Sequence, residues 1–162
     1  MNDFENIFSE LNKAKVKYLV VGGVAVNLHG FPRFTGDLDI LLLLEEKNLK
    51  KIDKAMRKLR YSERLPISVM DLEDRGKVAK WMQEKNFKAF TFNPPYGHLV
   101  QIDIVIKESL KFERFFERKL VKMYGGVRIP VISFDDLVKM KKKTGREKDE
   151  KDLEVLNALN LL

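Results

Sequence analysis

Three aspartates carry the strongest chemical signal in this chain of 162 residues. Asp37 and Asp39 open the apolar run that ends at Leu44, and Asp103 interrupts Gln101-Ile-Asp-Ile-Val-Ile106. On an extended strand successive side chains leave opposite faces, so residues two apart share one. Asp37, Asp39 and Leu41 therefore stand together, while Leu38, Ile40 and Leu42 face the other way. Two carboxylates held that close repel, raising one pKa, unless a cation sits between them. A lone aspartate inside a β-branched strand is poorly tolerated unless it is paired, hydrogen-bonded or metal-bound. Three such groups on neighbouring strands would form an oxygen-only site for a divalent cation, suited to phosphoryl or nucleotidyl transfer. Each alone has a plainer reading. An Asp-x-Asp is commonly a solvated strand end, and a single Asp103 fits an edge strand facing solvent or a lysine.

Composition narrows the chemistry further. Cysteine is absent, which removes disulfides, thiolate catalysis and cysteine-based metal sites. His29 and His98 are the only histidines, too few for a multi-histidine centre, so any metal must be held by carboxylates and be a hard ion such as magnesium or manganese. Hydrophobic residues make up 44%, enough for a real core, and the formal net charge is +7. The opening MNDFENIFSELNKAK is amphipathic and acidic, unlike a signal peptide, and Ile40–Leu44 is the longest apolar run. A membrane span needs about 20 such residues, so a soluble, cytoplasmic protein is expected.

The elements that must position these aspartates are legible in outline. Phe4, Ile7, Phe8 and Leu11 recur at helical spacing, with Asp3 a candidate cap. Lys17–Val21 reads as a buried strand, Gly22-Gly23 as a turn, Val24–Leu28 as a short helix and Asp37–Leu44 as a second strand. Leu49, Ile52, Met56 and Leu59 mark an amphipathic helix, Tyr61–Asp74 is irregular, and Val78–Asn86 is helical around Trp81 and Met82. Phe87–Phe92 and Leu99–Ile106 predict an antiparallel hairpin across Asn-Pro-Pro-Tyr-Gly. Phe112, Phe115 and Phe116 fall on a further helix and are most simply core; Val127–Ile132 is a last strand. Ser133 with Asp136 resembles a capping box for a helix that Gly145 ends, and a final helix carries Leu153, Leu156 and Leu159. No internal repeat or linker divides the chain, so one domain over residues 1–162 is expected: an α/β mixed sheet flanked by helices, with a helical part from about 133 to 162.

Taken whole, Tyr18-Leu-Val-Val-Gly-Gly…Asp37-Leu-Asp-Ile resembles the nucleotidyltransferase superfamily related to DNA polymerase β. Its signature is an apolar strand, Gly-Gly or Gly-Ser, a short helix, and Asp-x-Asp on the next strand. The intervening His29-Gly30…Arg33-x-Thr35 looks most like the small abortive-infection-type (AbiEii-like) bacterial members, and Asp103 falls where the superfamily places its third carboxylate. Leu137-Val-Lys-Met-Lys141 and Gly145-Arg146-Glu-Lys-Asp149-x-x-Asp152 resemble the closing motif of the same small proteins.

The resemblance implies a metal-dependent transfer of a nucleoside monophosphate from an NTP to a hydroxyl, with release of pyrophosphate. Asp37 and Asp39 would bind the Mg2+ or Mn2+ ions and Asp103 the catalytic one, also helping to deprotonate the acceptor. Gly22 and Gly23 would let the backbone approach the triphosphate at a helix N-terminus. Arg33 is a candidate phosphate contact, Thr35 a ligand or turn former, and His29 a helix cap. Lys141 shares the inward stripe of Phe134, Leu137 and Val138, and Asp149 and Asp152 that of Leu153 and Leu156. Two readings of that stripe stay open: an ion network of Lys141 and Arg146 with the aspartates, or Lys141 and Arg146 reaching the phosphates.

The acceptor is left open among RNA, protein and small molecules. A toxin- or antitoxin-type regulator that modifies tRNA or a partner protein is one alternative. A catalytically inactive nucleic-acid-binding scaffold is another, since Lys47–Arg60 carries seven basic residues against Asp53 alone. That helix also reads simply as a solvated face, without the interleaved aromatics of a stacking platform.

Overall fold

The computed structural model describes residues 2–32, 34–145 and 147–160. The first helix, α1 (Asp3–Lys13), opens under Asn2, whose side chain accepts the Glu5 amide at 2.9 Å. Asp3 lies one residue inside the helix and instead meets the His98 ring at 2.8 Å. Aliphatic and β-branched residues then give β1 (Tyr18–Val21), and α2 (Gly22–Leu28) starts directly at the paired glycines, two residues earlier than the spacing predicts. β2 (Asp37–Leu42) and α3 (Glu46–Lys58) follow. The stretch that reads as irregular holds a short strand, β3 (Ser62–Glu63), and a 3-10 turn (Val69–Glu73) capped by Ser68. α4 (Arg75–Lys85) ends on left-handed Asn86, and β4 (Ala89–Asn93) and β5 (Gln101–Val105) form the expected hairpin.

After α5 (Ile106–Ser109) and α6 (Phe112–Phe116), β6 (Leu120–Tyr124) turns at Gly125-Gly126 into β7 (Val127–Val131). β6 is absent from the sequence reading because it forms the sheet's outer edge: Leu120, Val121 and Met123 are exposed there, so no alternation marks it. α7 (Phe134–Thr144) opens under Ser133, whose hydroxyl accepts the Asp136 amide at 3.2 Å, and ends at left-handed Gly145. α8 (Glu147–Asn160) closes the described chain. No helix among the described residues is long and apolar enough to cross a membrane.

The seven strands form one mixed sheet in the order β3-β4-β5-β2-β1-β7-β6. β1 pairs antiparallel with β2 and parallel with β7, and β2 pairs parallel with β5. Tyr18 faces α1, its ring 6.4 Å from Phe8, and α3 joins α1 through Lys58 and Glu10 at 3.1 Å. The opposite face carries α2 and α7. There the His29 ring donates from Nε2 to the Ile132 carbonyl at 2.8 Å and stands edge-on to Phe134. Between the faces Leu38, Ile40, Leu42, Ile102 and Ile104 are fully buried.

Two polar side chains inside this apolar frame hold chain crossings together. Asn48, at the start of α3, accepts the Lys17 amide at 2.8 Å and donates to the Lys17 and Leu43 carbonyls at 2.9 Å each. It thereby fixes where β1 begins and β2 ends. Ser109 accepts the Leu42 amide at 3.0 Å and donates to the Val105 carbonyl at 2.5 Å.

Replacing Asn48 with Ala removes three bonds at a buried crossing and is expected to cost about 2 kcal/mol, lowering the melting temperature by roughly 4–8 °C in a thermal scan. His29 gives a pH dependence. Its pKa is lowered from the ordinary 6.5 chiefly by burial, against the raising effect of its bond to Ile132, with Lys122 lowering it further. The unfolded chain therefore takes up this proton first, and the stabilisation present above pH 6.5 is lost as the pH falls. Melting temperatures should drop between about pH 7.5 and 5.5, with a shallower slope in His29→Asn.

Candidate functional site

Strand register assembles the aspartates. In the parallel pair β2–β5, Asp37 lies opposite Gln101 and Asp39 opposite Asp103. In the antiparallel pairs on either side, Val21 lies opposite Asp39 and Thr91 opposite Asp103. The same-face row across four strands is thus Thr91, Asp103, Asp39, Val21. Each aspartate shares the face that bears α2, while Leu38, Ile40, Ile102 and Ile104 anchor the other face in the core. Asp37 is exposed at the strand mouth and Asp39 and Asp103 are half-buried.

Gly22 stands against Asp39. Its φ is +65°, in the left-handed region, and a Cβ added to it would lie 2.2 Å from Asp39 Oδ2. Only glycine meets both conditions. The bare backbone at the start of α2 therefore lets the Asp39 carboxylate pack directly on the chain turn that leaves β1. Gly23 is buried behind it.

Asp103 is held from two sides. The Thr91 hydroxyl donates to its Oδ1 at 2.6 Å, and Gln101 Nε2 donates to Oδ1 at 3.1 Å and Oδ2 at 3.2 Å. Gln101 Oε1 accepts from the Arg64 guanidinium, whose Nε also donates to Asn93 Oδ1 at 3.3 Å. Sequence reasoning passed over Thr91, Gln101 and Arg64. Gln101 could have been found, because it sits two residues before Asp103 and must share its face. Thr91 and Arg64 depend on pairings across β4 and β3 that no local pattern reports.

The donor set is carboxylate oxygen alone, which in chemistry fits a hard divalent cation such as magnesium or manganese. Among the described residues no three acidic or histidine side chains stand close enough to enclose an ion. Asp39 lies against Gly22, and Asp103 is held by Thr91 on β4, the strand away from Asp39. The carboxylates thus share one face and adjacent positions without closing into a cluster.

The other expected site residues divide. The Thr35 hydroxyl donates to the Asp37 carbonyl at 3.1 Å, a turn-forming contact that leads the chain into β2. His29 is the C-terminal cap residue of α2, its amide bonded to the Ala25 carbonyl. Arg33 and Arg146 lie outside the described residues. Lys141 is 6% exposed, and its Nζ lies 3.0 Å from Asp149 and 2.9 Å from Asp152, both buried on α8. Lys141 thus stands in the ion network with the two aspartates, while the part of Arg146 in it lies outside the described residues. Two surface depressions, one lined by Arg75, Met82 and Leu110 and one by Asn12, Val121 and Pro130, do not include the aspartates.

Removing Lys141 would leave two carboxylates facing each other in a buried setting. Lys141→Met should cost about 3–5 kcal/mol, read as an earlier midpoint in urea unfolding, because it strips the partner from buried charges. A variant of wild-type stability would contradict this network.

No curated protein matches the chain. Among solved structures, a candidate nucleotidyltransferase from Thermotoga maritima aligns over 98% of this chain and 91% of its own, at 19% identity and a TM-score of 0.55. The lincosamide antibiotic adenylyltransferase LnuA, bound to lincomycin, aligns over 95% of this chain and 94% of its own, at 15% identity and TM-score 0.59. The antibiotic-resistance factor ANT(2'')-Ia, in complex with adenylyl-2''-tobramycin, covers 98% of this chain and 87% of its own, at 10% identity and TM-score 0.54. At these identities the likeness is one of fold. The profile of a family described as a nucleotidyltransferase of unknown function (DUF6036) matches residues 2–161, and the chain belongs to that family.

Proposed function

We propose that this protein transfers a nucleoside monophosphate from an NTP to a hydroxyl acceptor, using the sheet face that carries Asp37, Asp39 and Asp103. The observation that supports it most is the register that sets Asp39 opposite Asp103, with glycine-only backbone packed on Asp39. Asp37, Asp39 and Asp103 would hold Mg2+ or Mn2+. Once bound, such ions neutralise charge that develops on the attacking and leaving oxygens.

The chain's own residues have distinct tasks in this reading. Gly22 and Gly23 bring backbone close to the triphosphate, and Thr35 orders the turn that presents Asp37. Arg33 and Arg146, as the resemblance implies, serve as phosphate contacts. Lys141, which the notion of a phosphate ligand also invites, acts through its aspartates to fix α8 against α7. Asp103 helps to deprotonate the acceptor hydroxyl, whose proton passes to water. The hydroxyl oxygen then forms its bond to the α-phosphorus as the bond to pyrophosphate breaks, and pyrophosphate leaves.

The acceptor follows less directly. The adenylyltransferases of similar fold are antibiotic-modifying proteins, which supports a small molecule; the narrower resemblance to abortive-infection-type proteins supports tRNA or a partner protein. A specific observation favours a second reading, a nucleic-acid-binding scaffold. α3, which carries most of the basic Lys47–Arg60 segment, packs beside α1 on the face away from Asp39, so phosphate binding there would not involve the carboxylates.

Asp39→Asn should fold normally yet lose magnesium-dependent NTP binding in calorimetric titration with ATP, GTP, CTP and UTP. Equal binding by wild type and variant would remove the carboxylates from the site. RNA affinity that falls steeply with salt but ignores magnesium and Asp39 would support the scaffold instead.

A further inference from the structure

We propose that Gln101, oriented by Arg64, is a positioning residue that fixes the Asp103 carboxylate for cation binding. The inference rests on the reading of Asp103 as a metal ligand and adds a line of residues that sets its geometry. An aspartate on a strand has two free torsions, and in a half-open face its carboxylate would otherwise sample several directions. Here three donor contacts hold it: Thr91 to Oδ1 at 2.6 Å, and Gln101 to Oδ1 at 3.1 Å and Oδ2 at 3.2 Å. An ionised carboxylate offers about four lone-pair positions, two per oxygen. Oδ1 is thus filled by two donors, and Oδ2 keeps one position. That position defines a single oxygen through which Asp103 can ligate a cation.

Gln101 performs this only in one orientation. Its carboxamide has a donor end and an acceptor end of nearly the same shape, and turning it over would set its oxygen against the Asp103 carboxylate. Arg64 selects the useful orientation from the far side by donating to Oε1, which leaves Nε2 toward Asp103. Arg64 is itself fixed: its backbone amide bonds the Thr91 carbonyl at 3.0 Å and its Nε bonds Asn93. β-Sheet register supplies the spacing at every step. Thr91 lies opposite Asp103, Ser62 lies opposite Asn93, and Gln101 lies opposite Asp37. A line of polar contacts therefore runs from an exposed guanidinium, over the last strands of the sheet, to the carboxylate beside Asp39.

The chemistry suits a carboxylate that must ligate. Groups that hydrogen-bond a ligating carboxylate orient it and lower the ordering cost of binding, and their removal typically weakens metal affinity by roughly 10–100-fold. Gln101 and Arg64 touch neither substrate nor reacting atoms in this reading, so their effect must pass through Asp103. Arg64 must in turn act through Gln101.

The test is Mn2+ affinity, measured by electron paramagnetic resonance of free and bound ion on the full chain. Wild type, Gln101→Leu, Arg64→Ala, the double variant and Asp39→Asn are compared, with melting temperatures taken on the metal-free proteins. Gln101→Leu removes both poles of the carboxamide and leaves an apolar side chain one atom shorter. It should bind Mn2+ about 10-fold or more weakly, with its metal-free melting temperature close to wild type. Arg64→Ala should show a smaller loss, and the double variant should be no weaker than Gln101→Leu alone, because a residue acting through another has nothing left to act on. Gln101→Glu restores a bond to Arg64 but sets a second carboxylate against Asp103, and should change the Mn2+ spectrum rather than restore it.

Four results would overturn the proposal. Unchanged affinity in Gln101→Leu, with Asp39→Asn still impaired, would remove Gln101 while leaving the metal site standing. Tighter binding in Gln101→Leu would mean that the amide competes with the cation for Asp103. Losses from Gln101→Leu and Arg64→Ala that simply add would mean independent effects. If wild type and Asp39→Asn both fail to bind Mn2+, the metal-site reading falls first and the positioning role falls with it.

Discussion

Asp39 faces Asp103 because β2 is locked in register with a strand on each side, and that lock comes from the residues that alternate with the aspartates. Leu38, Ile40 and Leu42 point into the core shared with Ile102 and Ile104, all fully buried. A slip of one residue in β2 would exchange the two faces, expelling three aliphatic side chains and driving both carboxylates inward. Burial of each such side chain contributes roughly 1.5–3 kcal/mol, so the slipped state is excluded before any charge is counted. The carboxylates therefore occupy places that the hydrophobic face has already determined.

The same frame explains why a helix can begin where β1 ends. The chain leaves the sheet at Gly22 in a left-handed conformation, and the absent Cβ leaves the volume into which Asp39 projects. A bulkier residue would have to displace the carboxylate and strain the backbone together. At the other end of α2, the His29 ring ties to the β7–α7 junction, so the short helix is pinned at both ends. Asn48 and Ser109 do similar work at the crossings around β1 and β2. These three polar side chains meet backbone groups at places where the chain changes direction.

What the sequence discloses follows how local the cause is. The β2 aspartates, the glycine pair and the capped start of α7 each depend on neighbours within a few residues, and all are readable from spacing. The hairpin of β4 and β5 announces itself by alternation around Asn-Pro-Pro-Tyr-Gly. The parallel pairing of β2 with β5 is not local, yet the two anomalous strands point to each other because each carries a carboxylate among aliphatic residues. β6 escapes detection because an edge strand exposed on both sides needs no alternation. Asn2 rather than Asp3 caps α1 because either residue type suits that position, and the choice is settled by His98, far along the chain. Thr91 and Arg64 are invisible for the same reason: their meaning depends on which strands lie side by side, whereas Gln101 is marked by its place two residues before Asp103.

Charge is distributed over the two faces of the sheet in a way that separates possible roles. Asp37, Asp39 and Asp103 lie on the face with α2, and α3, rich in lysine, packs with α1 on the other. On the acidic face, the buried cation Lys141 lies between Asp149 and Asp152, both held at short distance, so its charge is committed to joining α7 and α8. A buried ammonium that already meets two carboxylates would have to give up both to reach a phosphate, leaving them desolvated without a counter-charge. In the proposed reading, charge to meet a triphosphate at Asp39 would therefore come from groups other than Lys141. Basic residues on α3 lie on the opposite face, so polyanion affinity there and the proposed chemistry at the carboxylates would be separable.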